Sequence, residues 1–250
     1  MKVLRPTRML AEAAEVLGPV RDDVVVVGAT ALEVALSDSQ VGITPTRDVD
    51  VVVPVERAAD VVAHLERAEL RRSEVPHEAA FTWVRGDLKV QLVRTFHPFA
   101  RPPASRLPSN PAFGMAARPA HQVRVAFEDD PTAARLVCAN GACLLALKEA
   151  AFGRLRPGDD APVERDYHDA YLLLDEVPDH VVAELRTAEW EVQARAGKAI
   201  ALLSSDPDAI AAAGRQLVRL GGAPTQRQAE ARVRRAATRM ARRLEGAATG

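Results

Sequence analysis

The chain has 250 residues, of which 48% are hydrophobic and 27% charged, a composition typical of folded proteins and unlike that of disordered ones. Its 33 Lys and Arg nearly balance 34 Asp and Glu, and the formal net charge is −1. No apolar run approaches the ~20 residues needed to cross a bilayer. Two cysteines, Cys138 and Cys143, are too few for a disulfide framework or a zinc site. We therefore expect a protein of the reducing cytoplasm with no membrane partner.

The positive charge is concentrated near the C-terminus. Residues 215–250 contain nine Arg and two Glu, a local charge of +7, so the first 214 residues carry −8. An acidic body with a basic end is typical of proteins that contact a polyanion or an acidic partner. Lysine is rare: the chain has 29 arginines but only four lysines, Lys2, Lys89, Lys148 and Lys198.

The first half of the chain is predicted to alternate strands and helices. A helix over 8–17 precedes an all-apolar strand, 24–28 (VVVVG), which leads directly into a helix reaching about Leu36. The elements predicted next are a strand at 48–53, a helix at 55–71, a hairpin with strands at 81–84 and 88–93, and a strand at 121–127. A proline-rich loop is expected at 97–120.

The second half is predicted to be helical. One helix is expected from about residue 132 to 152, with Thr132 or Asn140 as its cap. Further helices are expected at 164–175, 179–187, 207–220 and 224–244. The sequence thus predicts an α/β (α+β) domain over residues 1–127, with a mixed sheet and flanking helices. An all-helical domain over 128–250 follows, ending in a basic helix.

Two aspartates, Asp48 and Asp50, are the strongest candidates for chemistry. Because strand side chains alternate, both carboxylates project from one face while Val49 and Val51 enter the core. Two like charges ~6–7 Å apart repel unless a cation lies between them, and hard oxygen ligands suit Mg²⁺. The alternative is an ordinary solvated strand end.

The preceding strand-to-helix turn favours the metal interpretation. Gly28 ends a buried strand where a helix begins, so backbone N–H groups and the positive end of the helix dipole are available to a phosphate. An ordinary tight turn is the alternative for Gly28 considered alone. A phosphate cradle beside a pair of metal-binding carboxylates is the arrangement that phosphoryl or nucleotidyl transfer requires.

Four segments together resemble a known superfamily. Gly28-Ala29-Thr30-Ala31-Leu32 and Thr46-Arg47-Asp48-Val49-Asp50-Val51 are similar to the signature of the nucleotidyltransferases related to DNA polymerase β. A helix carrying Lys148 and the segment Arg165-Asp166-Tyr167-His168-Asp169 follow in the same order. The order and content of these segments resemble most closely the AbiEii branch, bacterial toxins of toxin–antitoxin pairs that include the MenT enzymes.

This resemblance implies a fold, an activity and a set of site residues. The fold is a nucleotidyltransferase-type mixed sheet, and the reaction moves a nucleoside monophosphate from an NTP to an acceptor, in this branch the tRNA 3′ end. Asp48 and Asp50 would hold Mg²⁺ (or Mn²⁺) and activate the acceptor hydroxyl. Nucleotide-binding roles are implied for Gly28, Ala29, Thr30, Thr46, Arg47 and Lys148, and Asp166 would position the nucleotide or Lys148. A cognate antitoxin is the implied protein partner.

The sequence departs from the superfamily at its third carboxylate. Alternation along the strand Leu88–Val93 places Gln91 on the site face, where an amide can orient a ligand but is a poor general base. Asp87 could replace it only if the register shifted. A non-catalytic binding protein of this fold is therefore an alternative. A small-molecule nucleotidyltransferase acting on an aminoglycoside-like acceptor is a second alternative.

The remaining candidates are interpreted structurally or as binding surfaces. His168 is expected at the surface, and both cysteines are expected to be small buried side chains within one helix. Asp166 and Asp169, three residues apart on one helix, could pair with Lys148. The arginines of 227–243 indicate a solvated helix, an RNA-backbone contact or an antitoxin-docking surface.

Overall fold

The computed structural model describes residues 1–39, 48–152 and 164–248. These residues form two compact units, Met1–Asn140 and Gly141–Gly250. The first is an α/β unit and the second is helical in the residues described, which confirms the predicted fold class. The boundary follows Asn140 rather than residue 127, because a further strand after 127 belongs to the sheet of the first unit.

The first unit is built on a mixed sheet. Its strands are β1 (Lys2–Leu4), β2 (Val25–Val27), β3 (Asp48–Val53), β4 (Arg71–Arg72), β5 (Thr82–Arg85), β6 (Leu88–Arg94), β7 (Gln122–Phe127) and β8 (Leu136–Ala139). Their order across the sheet is β1-β7-β8-β2-β3-β6-β5-β4. The β2 and β3 strands pair antiparallel, whereas β3 and β6 pair in parallel. The strand that carries the two aspartates therefore lies in the interior of the sheet.

Helices of the first unit connect and cover these strands. They are α1 (Arg8–Leu17), α2 (Gly28–Ala35), α3 (Ala58–Arg67) and the short α4 (Phe113–Ala116). The α1 helix begins after Thr7, whose side chain accepts a hydrogen bond from the Leu10 N–H at 3.3 Å. The α3 helix follows one 3₁₀ turn and buries Val61 and Leu65 completely, as its apolar spacing predicts.

One predicted element of the first unit is wrong. Residues 136–139, assigned from the sequence to the start of a long helix, form β8 instead. The helix begins at Gly141, which excludes Thr132 as its cap and agrees with the alternative start after Asn140. The β8 strand pairs with β2 and β7, and all four of its residues are buried, so tertiary pairing overrides the local pattern. Cys138 and Cys143 consequently lie in different elements, and both are buried, as expected, and not joined in a disulfide.

The helices of the second unit are α5 (Gly141–Ala151), α6 (Glu164–Glu176), α7 (Pro178–Thr187), α8 (Trp190–Ser205), α9 (Pro207–Arg219) and α10 (Gln226–Ala248). The α8 helix is not anticipated by the sequence analysis. It packs against α5 and α10 and buries Val192, Ala196, Ile200 and Leu203. The α9 helix is capped by Asp206, whose carboxylate accepts from the backbone N–H groups of Asp208 and Ala209.

No helix in the described residues is both long and apolar enough to cross a membrane.

Candidate functional site

The turn between β2 and α2 brings backbone against an aspartate. Gly28 is the first residue of α2 and has a φ of +66°, in the left-handed region that glycine enters without steric cost. A Cβ at this position would overlap the Oδ2 atom of Asp50 and lie 3.1 Å from its Cγ atom. Glycine is thus needed here twice, for its backbone angle and for the close approach of the carboxylate.

The neighbouring strand presents both aspartates on one face, as predicted. Asp50 lies directly opposite Val27, the last residue of β2, in the antiparallel pair. Asp48 and Asp50 are partly exposed, whereas Val49 and Val51 on the other face are completely buried. The apolar face fixes the register, because a slip by one residue would bury the two carboxylates in the core.

A buried hydroxyl ties the helix to the same strand. Thr30, in the first turn of α2, is completely buried, and its hydroxyl donates to the carbonyl oxygen of Asp48 at 3.2 Å. This side chain therefore positions the start of β3, so any contact of residue 30 with a phosphate falls to its backbone N–H. Ala29 is also buried, and its small side chain fits the packed turn.

The parallel pairing of β3 with β6 places Gln91 beside the aspartates. Asp50 is in register with Gln91, and Asp48 is in register with Lys89. Residues directly opposite in neighbouring strands share a face, so Gln91 lies on the face of the two carboxylates. Asp87 is exposed in the β5–β6 turn. The sequence-based placement of Gln91, rather than Asp87, on this face is thus confirmed.

Lys89 is a residue of this face that the sequence analysis missed as a candidate. It shares the face with Asp48 and also forms an ion pair, 3.6 Å from its Nζ atom to the Oε2 atom of Glu78. The same alternation that assigns Gln91 to the site face would have assigned Lys89 to it two residues earlier. A cation beside two carboxylates lowers the net negative charge of the face.

The donor set of this face suits a hard cation that takes most of its ligands elsewhere. In the residues that the structure describes, no group of three or more His, Cys, Asp and Glu side chains is placed to hold a metal. Asp48 and Asp50 supply carboxylate oxygens, and Gln91 supplies an amide oxygen on the same face. Mg²⁺ is commonly bound by one or two carboxylates, with water and substrate phosphates completing its coordination.

The second unit contains a buried cluster of a lysine and two aspartates. The Nζ atom of Lys148, on α5, lies 2.7 Å from the Oδ1 atom of Asp166 and 2.6 Å from the Oδ2 atom of Asp169, both on α6. The side chains of Lys148, Asp166 and Asp169 are 12%, 14% and 5% exposed. The pairing that the helix spacing suggested is thus present.

Electrostatics keep Lys148 charged despite its burial. Burial lowers the pKa of Lys148, but the opposing charges and hydrogen bonds of Asp169 and Asp166 outweigh it, so the pKa is raised overall. The other three lysines also form ion pairs, with Asp38, Glu78 and Glu149, but their side chains are 20%, 37% and 67% exposed. Lys148 differs from them in its burial and in having two carboxylate partners.

His168 was expected at the surface, and this prediction is wrong. Its side chain is buried on α6, where its ring lies 6.0 Å from that of Tyr171 between centroids. Burial lowers the pKa of His168, Asp169 acts in the opposite direction, and Arg165 lowers it further. A buried histidine of lowered pKa packs as a neutral ring at neutral pH.

Thr46 and Arg47 lie outside the described residues, so their predicted part in nucleotide binding stays a prediction. Among the other predicted residues, the structure brings together Gly28, Ala29, Thr30, Asp48 and Asp50 in the first unit. In the second unit it brings together Lys148 and Asp166.

Solved structures with a similar fold match nearly the whole of this chain. The chain is similar to JHP933 from Helicobacter pylori, with a TM-score of 0.50 and 10% sequence identity over 97% of this chain and 96% of that one. A second H. pylori structure, described as a "putative nucleotidyltransferase", matches with a TM-score of 0.49 and 10% identity over 96% of this chain and 98% of that one. No known family profile and no curated protein matches the sequence.

The requirement for glycine at residue 28 can be measured against a second glycine of positive φ. Gly86 in the β5–β6 turn has a φ of +59°, but a Cβ there would meet nothing within 4 Å. Both Gly28→Ala and Gly86→Ala add backbone strain, whereas only Gly28→Ala also drives a methyl group into Asp50. We expect Gly28→Ala to lower the free energy of unfolding by about 1–3 kcal/mol more than Gly86→Ala, as measured by urea denaturation. Equal losses would show that Asp50 does not constrain the turn.

Removing the buried cation of the second unit should be costly. Lys148→Met leaves Asp166 and Asp169 without their charge partner and should destabilise the protein by about 3–5 kcal/mol. Asn at both 166 and 169 in that background should recover much of the loss. The exposed pair of Arg8 and Glu12 provides the control, since Arg8→Gln should leave stability nearly unchanged.

The pH dependence gives a second readout of the same ion pairs. Because the pKa of Lys148 is raised in the folded state, its contribution should be fully present below the unfolded-state pKa of about 10.4. It should be lost as the pH rises through the folded-state value. The stability difference between the parent and Lys148→Met should therefore shrink in strongly alkaline solution. A difference that does not change with pH would contradict the assigned ion pairs.

Proposed function

We propose that this chain is a nucleotidyltransferase that uses a divalent cation to move a nucleoside monophosphate from an NTP to an acceptor hydroxyl. The observation that carries the proposal is the contact of the Gly28 turn with Asp50, on a strand that presents Asp48 from the same face. It joins a helix N-terminus suited to phosphate with two carboxylates suited to a cation. The resemblance of four sequence segments to the AbiEii branch supports the same activity.

Mg²⁺ (or Mn²⁺) is the proposed cofactor, and the residues present fit it. The missing Cβ of Gly28 leaves the space that the Asp50 carboxylate occupies, and the donors on this face are oxygen atoms. When bound, the cation would neutralise charge on the triphosphate. Asp48 and Asp50 would hold it, and one of these carboxylates would accept the proton of the acceptor hydroxyl.

The start of α2 is the proposed contact for the triphosphate. The first residues of a helix have N–H groups without intrahelical partners and carry the positive end of the helix dipole. Gly28, Ala29 and Thr30 are the first three residues of α2. Thr30 also holds the backbone of Asp48, so a part-buried hydrogen bond joins the proposed phosphate contact to the strand of the carboxylates.

The tRNA 3′ end is the proposed acceptor, and a role as toxin of a toxin–antitoxin pair is proposed with it. Both rest on the AbiEii resemblance carried by the Gly28, Asp48, Lys148 and Asp166 segments. The participation of Lys148 and Asp166 in nucleotide binding stays a prediction. In that role, Asp166 would position Lys148 through the ion pair between them.

One observation favours a second candidate function, that of a non-catalytic nucleotide-binding protein. Gln91, not a carboxylate, lies in register with Asp50. An amide can orient a ligand but is a poor proton acceptor, so binding without turnover is compatible with this face.

The metal role of the carboxylates predicts a nucleotide-dependent stabilisation. An NTP with Mg²⁺ at a hundredfold excess over Kd should raise the free energy of unfolding by about 2.7 kcal/mol. Asp48→Ala should abolish this increase, measured as a shift of Tm with and without Mg²⁺. Asp87→Ala removes an equal charge from the exposed β5–β6 turn and should leave the shift intact.

A shift that survives in Asp48→Ala would remove this residue from the proposed site. The acceptor is tested with the same proteins by incubating each labelled NTP with total tRNA or with an aminoglycoside. Label on tRNA in the parent, absent in Asp48→Ala, would support the proposed acceptor. Label on the aminoglycoside alone would favour a small-molecule transferase. NTP binding without any transfer would favour the non-catalytic candidate.

Gln91 can be tested by restoring a carboxylate. Gln91→Asp places a third carboxylate on the face of Asp48 and Asp50, so Mn²⁺ affinity, measured by electron paramagnetic resonance of the free ion, should rise. Gln228→Asp adds the same charge at an exposed position of α10 in the second unit and should leave Mn²⁺ affinity unchanged. Weaker Mn²⁺ binding by Gln91→Asp would show that the neutral amide is needed on this face.

A further inference from the structure

The α10 helix has one face that packs into the second unit and another that faces solvent. Its packed face consists of side chains that are buried to 1% exposure or less: Ala229, Val233, Ala236, Ala237 and Met240. The α10 helix contacts α8 and α9 among other helices. The arginines of α10 lie away from this apolar face, and they divide into two groups by their partners.

The first group flanks the apolar face and is used within the unit. Arg239 donates to Asp175 at 2.7 Å, and Arg232 donates to the carbonyl oxygen of Gly222 and lies 3.4 Å from Asp175. Arg243 pairs with Asp179. These contacts account for three of the seven arginines of α10. Those three therefore attach α10 to the rest of the second unit.

The second group is exposed and has no acidic partner among the residues that the structure describes. It consists of Arg227, Arg234, Arg235 and Arg242, which we name the arginine stripe. At 100° per residue, these four side chains fall within an arc of about 100° opposite the apolar face. From Arg227 to Arg242 the stripe extends about 22 Å along the helix at 1.5 Å per residue.

The composition of this arc decides what it can bind. The other described positions within it are Ala231, Thr238 and Glu245, so the stripe has no aromatic or large apolar side chain. Protein interfaces rely on such side chains as buried anchors, and single-stranded bases stack on aromatic rings. Guanidinium groups alone suit phosphate oxygens, which they can contact in a bidentate manner.

We propose that the arginine stripe binds the phosphate backbone of a nucleic acid without reading its sequence. This binding goes beyond the proposed transfer reaction and does not require it, because the contacts are between the stripe and phosphates only. Four guanidinium groups with no acidic partner in the described part of the chain repel one another along one helix face, and a polyanion would relieve that repulsion. The flanking arginines would remain with Asp175 and Asp179.

The salt dependence of binding tests the proposal. Fluorescence anisotropy would be measured with a labelled 20-nucleotide RNA and with a duplex DNA of the same length, across a salt series. If all four arginines contact phosphates, replacing them together with Gln should flatten the plot of log K against log salt by about 3 for single-stranded RNA. Affinity at the lowest salt should fall by about tenfold or more.

A matched variant separates the stripe from net charge. Arg5, Arg71, Arg101 and Arg106 are exposed residues of the first unit with no acidic partner among the described residues. Replacing these four with Gln changes the net charge equally and should leave the slope and affinity of the parent. Circular dichroism melting of both variants checks that the fold is retained, which the exposure of all eight side chains leads us to expect.

Several results would overturn the proposal. These are a parent that binds neither RNA nor DNA, a stripe variant with the parental slope, and a control variant that loses as much affinity as the stripe variant. Binding of polyglutamate in preference to both nucleic acids would assign the stripe to an acidic protein partner instead. The anisotropy assay measures binding in the absence of NTP, so failure of the proposed transferase activity would not alter this outcome.

Discussion

The contact between Gly28 and Asp50 is the constraint on which the candidate site depends. The backbone of residue 28 has a φ of +66°, and the Asp50 carboxylate fills the volume in which a side chain would begin. The Thr30 hydroxyl donates a hydrogen bond to the carbonyl oxygen of Asp48. The start of α2 therefore contacts β3 at both aspartates. The fully buried valines of β3 then fix which face the carboxylates take. Local backbone geometry, side-chain packing and the proposed chemistry thus converge on one turn.

In the second unit, the charged side chains have a different role. Its charged side chains are largely paired with one another, as in the bonds of Lys148 to Asp166 and Asp169, or of Arg195 to Glu149 at 2.9 Å. Buried ion pairs gain little net stability, but breaking one is costly, and such pairs hold helices in a defined register. Against this background, exposed arginines that have no acidic partner within residues 1–39, 48–152 and 164–248 are informative. The charge asymmetry of the sequence located them only to a segment, whereas the ion pairs of Arg239 and Arg243 show which arginines are already used.

The sequence predicts the central strands well because their signals are local. A run of β-branched residues ending in glycine marks β2 and the start of α2, and the two-residue period of β6 places Gln91 on the correct face. The β8 strand is different, because only Asn140 and the glycine that begins α5 separate its four apolar residues from the apolar part of that helix. Only pairing with β2 and β7 distinguishes strand from helix there. The α8 helix was missed because two of its five buried residues are alanines, which weaken the hydrophobic period.

The same distinction between local signals and tertiary pairing applies to the candidate site. Alternation along one strand is enough to predict that Asp48 and Asp50 share a face, but the overlap of a residue 28 side chain with Asp50 depends on the pairing of two strands. The partners of Lys148 depend on how α5 packs against α6, and helix spacing alone could only suggest them. Alternation along β6 is enough to assign Lys89 to this face, but its position opposite Asp48 depends on the β3–β6 register.

The most direct test of the central claim is the position of a bound cation. Crystals of the protein grown with Mn²⁺ and a non-hydrolysable NTP should show an anomalous diffraction peak at the carboxylates of Asp48 and Asp50, with phosphate density at the start of α2. Such a peak would establish that the turn at Gly28 serves a metal–nucleotide site. Phosphate density elsewhere, with no anomalous peak at either carboxylate, would contradict the account.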